Sequence, residues 1–248
     1  MELLAAASFI ATLLSGFAVG GRLLRLARTT HRAAEAFLGL GVTLLALAAA
    51  VEVAAMEIAR RGHPEAAYPV EVLALFLHSA SSSSLCFGIW RVFYWDRRWA
   101  FYVCVTLTAI LFDSWMAVVL PGRHTSVMGF TVWFHVHVAS RGAAVAWGAL
   151  AAWAHYRRLR RRLALGLAEP FACHRFLLWA VALTSSTGIL ATALLTNTLR
   201  GVLVFAWSPA LLLVSLFGLV GAWTLWFAFL PPAAYRRAIE RRARALLT

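Results

Sequence analysis

Long apolar runs alternate with short polar breaks along the whole chain. Seven runs reach about 20 residues or more, enough for a helix rising about 1.5 Å per residue to cross a hydrocarbon core about 30 Å thick. They predict helices over 3–27, 33–59, 69–94, 98–120, 128–157, 171–197 and 201–230. Hydrocarbon offers no partner to a backbone N–H or C=O, so spanning segments of this kind must be helical. The fold class expected is all-α, a polytopic seven-transmembrane-helix bundle. Pro64, Pro69, Pro121 and Pro170 fall at the breaks, where helices start or stop. Pro209 falls inside the last run and predicts a kink near Ser208. Short connections make consecutive helices antiparallel neighbours. No internal repeat of the inverted-transporter kind is visible. The first run carries only Glu2 as an early charge, which predicts a retained helix rather than a cleaved signal.

Composition agrees with that solvent. Of 248 residues, 62% are hydrophobic and 13% charged, where a soluble domain carries about a quarter charged. The net charge is +13, and all 23 basic residues are Arg. Their placement matters more than their number. Arg22, Arg25, Arg28 and Arg32 flank the first connection, Arg91, Arg97 and Arg98 the third, and Arg157, Arg158, Arg160, Arg161, Arg162 and Arg175 the fifth. Arg236, Arg237, Arg241, Arg242 and Arg244 follow in the tail, against only Arg60, Arg61, Arg123 and Arg200 on the other side. The positive-inside rule then predicts an outside N-terminus and a cytoplasmic C-terminus. Basic charge at helix ends points to lipid headgroups, with no nucleic acid partner. After Pro231-Pro232, residues Tyr235, Ala238, Ile239, Ala243, Leu246 and Leu247 recur at helical spacing among arginines. The chain therefore divides into a membrane domain, 1–230, and a basic amphipathic cytoplasmic tail, 231–248. The tail either lies on the inner leaflet or docks a cytoplasmic partner. Cys86, Cys104 and Cys173 all lie in or beside apolar runs, which implies no structural disulfide.

Ionisable residues deep in a span are costly and point to function. Six qualify: Glu52, His78, Asp113, His135, His137 and Arg141. Counted from the outer helix ends, the first five lie about 9–12 Å deep and Arg141 about 18 Å. His137 and Arg141, four apart, share a helix face, whereas His135 and His137 point in different directions. Asp113 or Glu52 is the natural counter-ion for Arg141. Glu52, His78, Asp113, His137 and Arg141 are therefore the candidate ligand-binding residues. A structural ion pair holding helices together is the plainer alternative. A metal site is another: His78, His135, His137, Asp113 and Glu52 offer donors for zinc, copper or non-haem iron, and two histidines could ligate haem. The run Ser79–Ser84 beside His78, and Thr184–Thr187 on the sixth run, suit close helix packing or a hydroxyl-lined wall.

Several seven-helix families are excluded by residues. Retinal needs a Schiff-base Lys, and the chain has no Lys. The Asp-Arg-Tyr and Asn-Pro-x-x-Tyr signatures of G-protein-coupled receptors are missing, and the seventh run lacks the His pair of the ceramidase and progestin-receptor hydrolases. The stretch Phe134-His135-Val136-His137-Val138 faintly echoes cytochrome oxidase subunit three, without its surroundings. Other segments carry a closer likeness: Trp90-Arg91-Val92-Phe93, the stretch from Tyr156 to Pro170, Arg175-Phe176-Leu177-Leu178-Trp179, and Phe229-Leu230-Pro231-Pro232 with Tyr235-Arg236-Arg237. In these the chain resembles a group of uncharacterised bacterial seven-transmembrane-helix proteins. The last segment is similar to the exit from membrane sensor domains of bacterial signalling kinases. That resemblance implies an inner-membrane sensor or transducer whose output module is a separate protein. Its ligand would be a small molecule or ion arriving from outside. A metal- or haem-dependent membrane enzyme or redox protein is the alternative, and a proton-coupled transporter the third.

Overall fold

The computed structural model describes residues 2–119 and 132–245; Pro121, Arg123, His124, the expected start of the fifth helix, and Leu246 and Leu247 lie outside the described residues. Among the described residues the chain is all-helical: α1 Glu2–Thr30, α2 Ala33–Arg60, α3 Pro64–Phe93, α4 Arg98–Val119, α5 Val132–Ala164, α6 Pro170–Arg200, a 3-10 turn Val204–Ala206, α7 Ser208–Phe229 and α8 Ala233–Ala245. Six of these helices, α1 to α4, α6 and α7, are long and apolar enough to cross a membrane. The chain is accordingly a multi-pass membrane protein in type. The 33 residues of α5 are long enough, but His135, His137, Ser140 and Arg141 interrupt its apolar run and arginines crowd its last turns.

The helix ends differ from the sequence expectation for local reasons. α3 starts at Pro64, which occupies its first turn and needs no N–H partner there, and Pro69 lies inside the helix. α5 continues through the arginine cluster to Ala164. It stops at Gly166, whose φ of +69° returns N–H groups to Leu163 O and to Arg162 O through Leu167. α6 likewise runs on to Arg200 and ends at Gly201, φ +64°. α7 then begins only at Ser208, so Pro209 sits in its first turn and kinks nothing.

α1 packs on α2 and α7, α6 lies between α5 and α7, and α3 touches α2, α4 and α5. α1, α2, α3, α5, α6 and α7 surround an apolar cavity of about 100 Å³, walled by side chains such as Val42, Leu85, Val145, Leu183 and Leu225. α4 contributes nothing to that cavity and lies outside, against α3 and α5. Small residues set the closest approaches. A Cβ on Gly20 would stand 3.0 Å from both Gly39 O and Thr43 N, and one on Gly16 would stand 2.7 Å from Ala46 Cβ. Ser79 and Ser81 to Ser84 are all buried in α3. Ser81 donates to Gly41 O of α2 at 2.8 Å, joining the two helices. Thr184, Ser186 and Thr187 instead bond back to their own helix, and α3 meets α6 through aromatic rings, Phe93 lying against Phe176 and Trp179.

Candidate functional site

Three helices each supply one ionisable group to a single chain of hydrogen bonds. His78 of α3 places Nε2 2.9 Å from Glu52 Oε2 of α2 and Nδ1 2.7 Å from Arg141 Nη2 of α5. A guanidinium has donors and no acceptor, so Nδ1 must accept and carry no proton. The imidazole proton therefore sits on Nε2 and is donated to the Glu52 carboxylate. Tautomer and ring orientation are both set by this pairing. His78 is 4% exposed, so it is sealed between its two partners. Neither carboxylate expected as a counter-ion touches Arg141: Glu52 reaches it only through the His78 ring. The ring gives each of the two charges a hydrogen-bond partner in place of the water that its burial displaces.

Glu52 is the exposed end of the relay, with 36% of its side chain accessible. It forms the floor of a cleft of about 820 Å³ between α2, α3 and the connection from α6 to α7, where Met56, Tyr68, Glu71, Leu203 and Phe205 form walls. Glu65 and Arg60 stand at the same cleft. Arg60 is already held by Glu57, Nε at 2.8 Å and Nη2 at 2.9 Å, and among the described residues Glu65 and Glu71 have no ion pair. Tyr68 is tied to α4 through its hydroxyl, 3.0 Å from Val119 O. The result is an acidic recess with apolar and aromatic walls, closed at its base by the relay.

The remaining predicted residues take separate places. His137 is 1% exposed, one turn before Arg141 on α5. Its Nδ1 lies 3.3 Å from Ser114 Oγ of α4, and that hydroxyl donates to Leu111 O at 3.0 Å. The Ser114 proton being so used, Nδ1–H is the donor of the pair, and His137 Nε2 is buried without a partner among the described residues. His137 thus flanks the relay without joining it. Asp113 is exposed on α4 and is not brought to the cluster. The physical reason is the position of α4, which packs outside the ring; the next residue, Ser114, is the one that turns inward. His135 is half-buried with its ring 6.0 Å from that of Phe134.

This placement bears on the metal and haem alternatives. Among the described residues, no group of three or more His, Cys, Asp or Glu is arranged to hold a metal ion. Both nitrogens of His78 are engaged, one as a donor and one as an acceptor, so it has no free lone pair for a metal. Glu65, Glu71 and Phe205 are cleft residues that sequence reasoning passed over. The two carboxylates read as helix-end charges, and Phe205 follows a connection whose fold no local pattern signals.

Comparison with known protein families, with curated proteins and with solved structures finds no match.

Proposed function

We propose that this chain is an integral-membrane sensor or transducer of the bacterial inner membrane, built on seven spans with α5 as the seventh. The N-terminus is outside and the C-terminus cytoplasmic, in keeping with the arginine distribution. Its ligand is a small cation or protonated amine entering the acidic cleft from outside, and its output passes through α5 to the cytoplasmic side. The observation that carries this reading is the hydrogen-bonded chain Glu52–His78–Arg141, which joins the cleft to α5 across three helices.

The chemistry of the relay supplies a switch. A cation seated on Glu52 competes for the carboxylate that accepts the His78 proton. Once His78 loses that acceptor, nothing fixes its tautomer, and the bond from Arg141 is no longer enforced. A proton added to His78 acts more directly: both ring nitrogens would then be donors, and Arg141 cannot bond to a donor. Either event frees Arg141 and biases the position of α5, whose far end carries the arginine-rich turns. Trp147 on α5 stacks on Tyr94 at 5.7 Å and so reports such a shift.

The test is thermal unfolding of the purified chain in lipid nanodiscs with methylammonium, guanidinium or a short diamine added. At least one should raise the melting temperature of the wild type and change its Trp emission. Glu52→Gln should abolish both effects and Asp113→Asn preserve them. Stabilisation that survives Glu52→Gln, or none by any of these cations, removes the cleft as the sensing site.

A further inference from the structure

A groove at the other end of the bundle carries chemistry that the relay does not use. It follows the outer face of α1 beside the end of α7, has a volume of about 740 Å³, and is lined by Phe17, Gly21, Arg22, Arg25, Leu26 and Leu230 among others. α1 meets α2 there through Gly20 and Gly39, near the start of α2, whereas Glu52 lies near the end of α2. Arg22 and Arg25 are three residues apart, so their guanidinium groups share a helix face and can meet on one anion. Both are exposed, and neither has an ion pair or hydrogen bond with a described residue. No carboxylate lines the groove. A Cβ on Gly21 would meet nothing within 4 Å, so the floor between the arginines and Phe17 is open. Phe17 and Leu26 are 44% and 41% exposed and form apolar walls.

A soluble anion would satisfy the arginines and leave those walls uncovered. A molecule with an anionic head and a hydrocarbon chain covers both. We propose that this groove binds an anionic glycerophospholipid, its phosphate held between Arg22 and Arg25 and an acyl chain laid over Gly21 against Phe17 and Leu230. The position suits this occupant, because the arginines stand near the end of a membrane-length helix and Phe17 lies toward its middle.

Native mass spectrometry of the full chain released from detergent tests it, with phosphatidylglycerol, phosphatidylcholine or inorganic phosphate supplied separately. Phosphatidylglycerol should be retained, and the doubly substituted Arg22→Gln/Arg25→Gln chain should hold it about tenfold or more weakly. Gly21→Leu, which keeps every charge and meets open space, should also weaken retention by filling the floor. Arg157→Gln/Arg158→Gln removes equal charge elsewhere and should retain the lipid as the wild type does. Equal retention of phosphatidylcholine, displacement by inorganic phosphate, or equal losses from the two double substitutions would overturn the proposal. Matching melting temperatures among the variants guard against unfolding as the cause.

Discussion

Arg141 directs Nη2 at Nδ1 of His78 from 2.7 Å, a guanidinium bonded to an imidazole rather than to a carboxylate. That contact dictates where the ring keeps its proton. In protein labelled with ¹⁵N-histidine, His78 should show an unprotonated Nδ1 and a protonated Nε2. Arg141→Met should release the ring into a mixture of tautomers. A wild-type ring protonated at Nδ1 would contradict the arrangement.

The relay also predicts non-additive energetics. Arg141→Met removes a charged donor from a buried acceptor and should cost about 2–4 kcal/mol. Glu52→Gln keeps an oxygen that can accept from Nε2 and should cost about 1 kcal/mol. Because both act on one ring, the double variant should depart from the sum by roughly 1 kcal/mol or more. Unfolding of the four chains in mixed micelles measures this, and strict additivity would mean that His78 does not couple the two.

Asp113→Asn should leave stability and the His78 signals unchanged within about 0.5 kcal/mol, since the side chain is exposed on α4. A loss comparable to that of Arg141→Met would place Asp113 in the network after all.

The α1–α2 contact has almost no room. Gly20→Val should destabilise the chain by about 1–3 kcal/mol, because the added Cβ would lie 3.0 Å from backbone atoms that cannot move aside. Gly21→Val, one residue on and facing open space, is the matched control and should cost far less.

α8 is latched to α6 rather than free. The Tyr235 hydroxyl lies 2.5 Å from His174 Nε2, and Arg236 Nη2 lies 3.6 Å from Glu169 Oε1. Tyr235→Phe combined with Arg236→Gln should speed proteolytic cleavage before α8 several-fold. An unchanged cleavage rate would show that these contacts do not hold the helix.

The sequence by itself determined the solvent and the class of fold. Runs of about 20 apolar residues admit only helices, and the place of Glu52, His78, His137 and Arg141 along those helices is read directly from the sequence. Only the tertiary structure decided which deep groups meet. Depth is a one-dimensional quantity, whereas contact depends on which face each helix turns to which neighbour. Asp113 and Ser114 are adjacent in sequence and equal in depth. The packing of α4 outside the ring turns the serine toward His137 and leaves the carboxylate exposed. In the same way, the angular setting of α3 between α2 and α5 puts an imidazole between Glu52 and Arg141. Such settings arise from packing across helices far apart in the chain, which no local pattern of residues encodes.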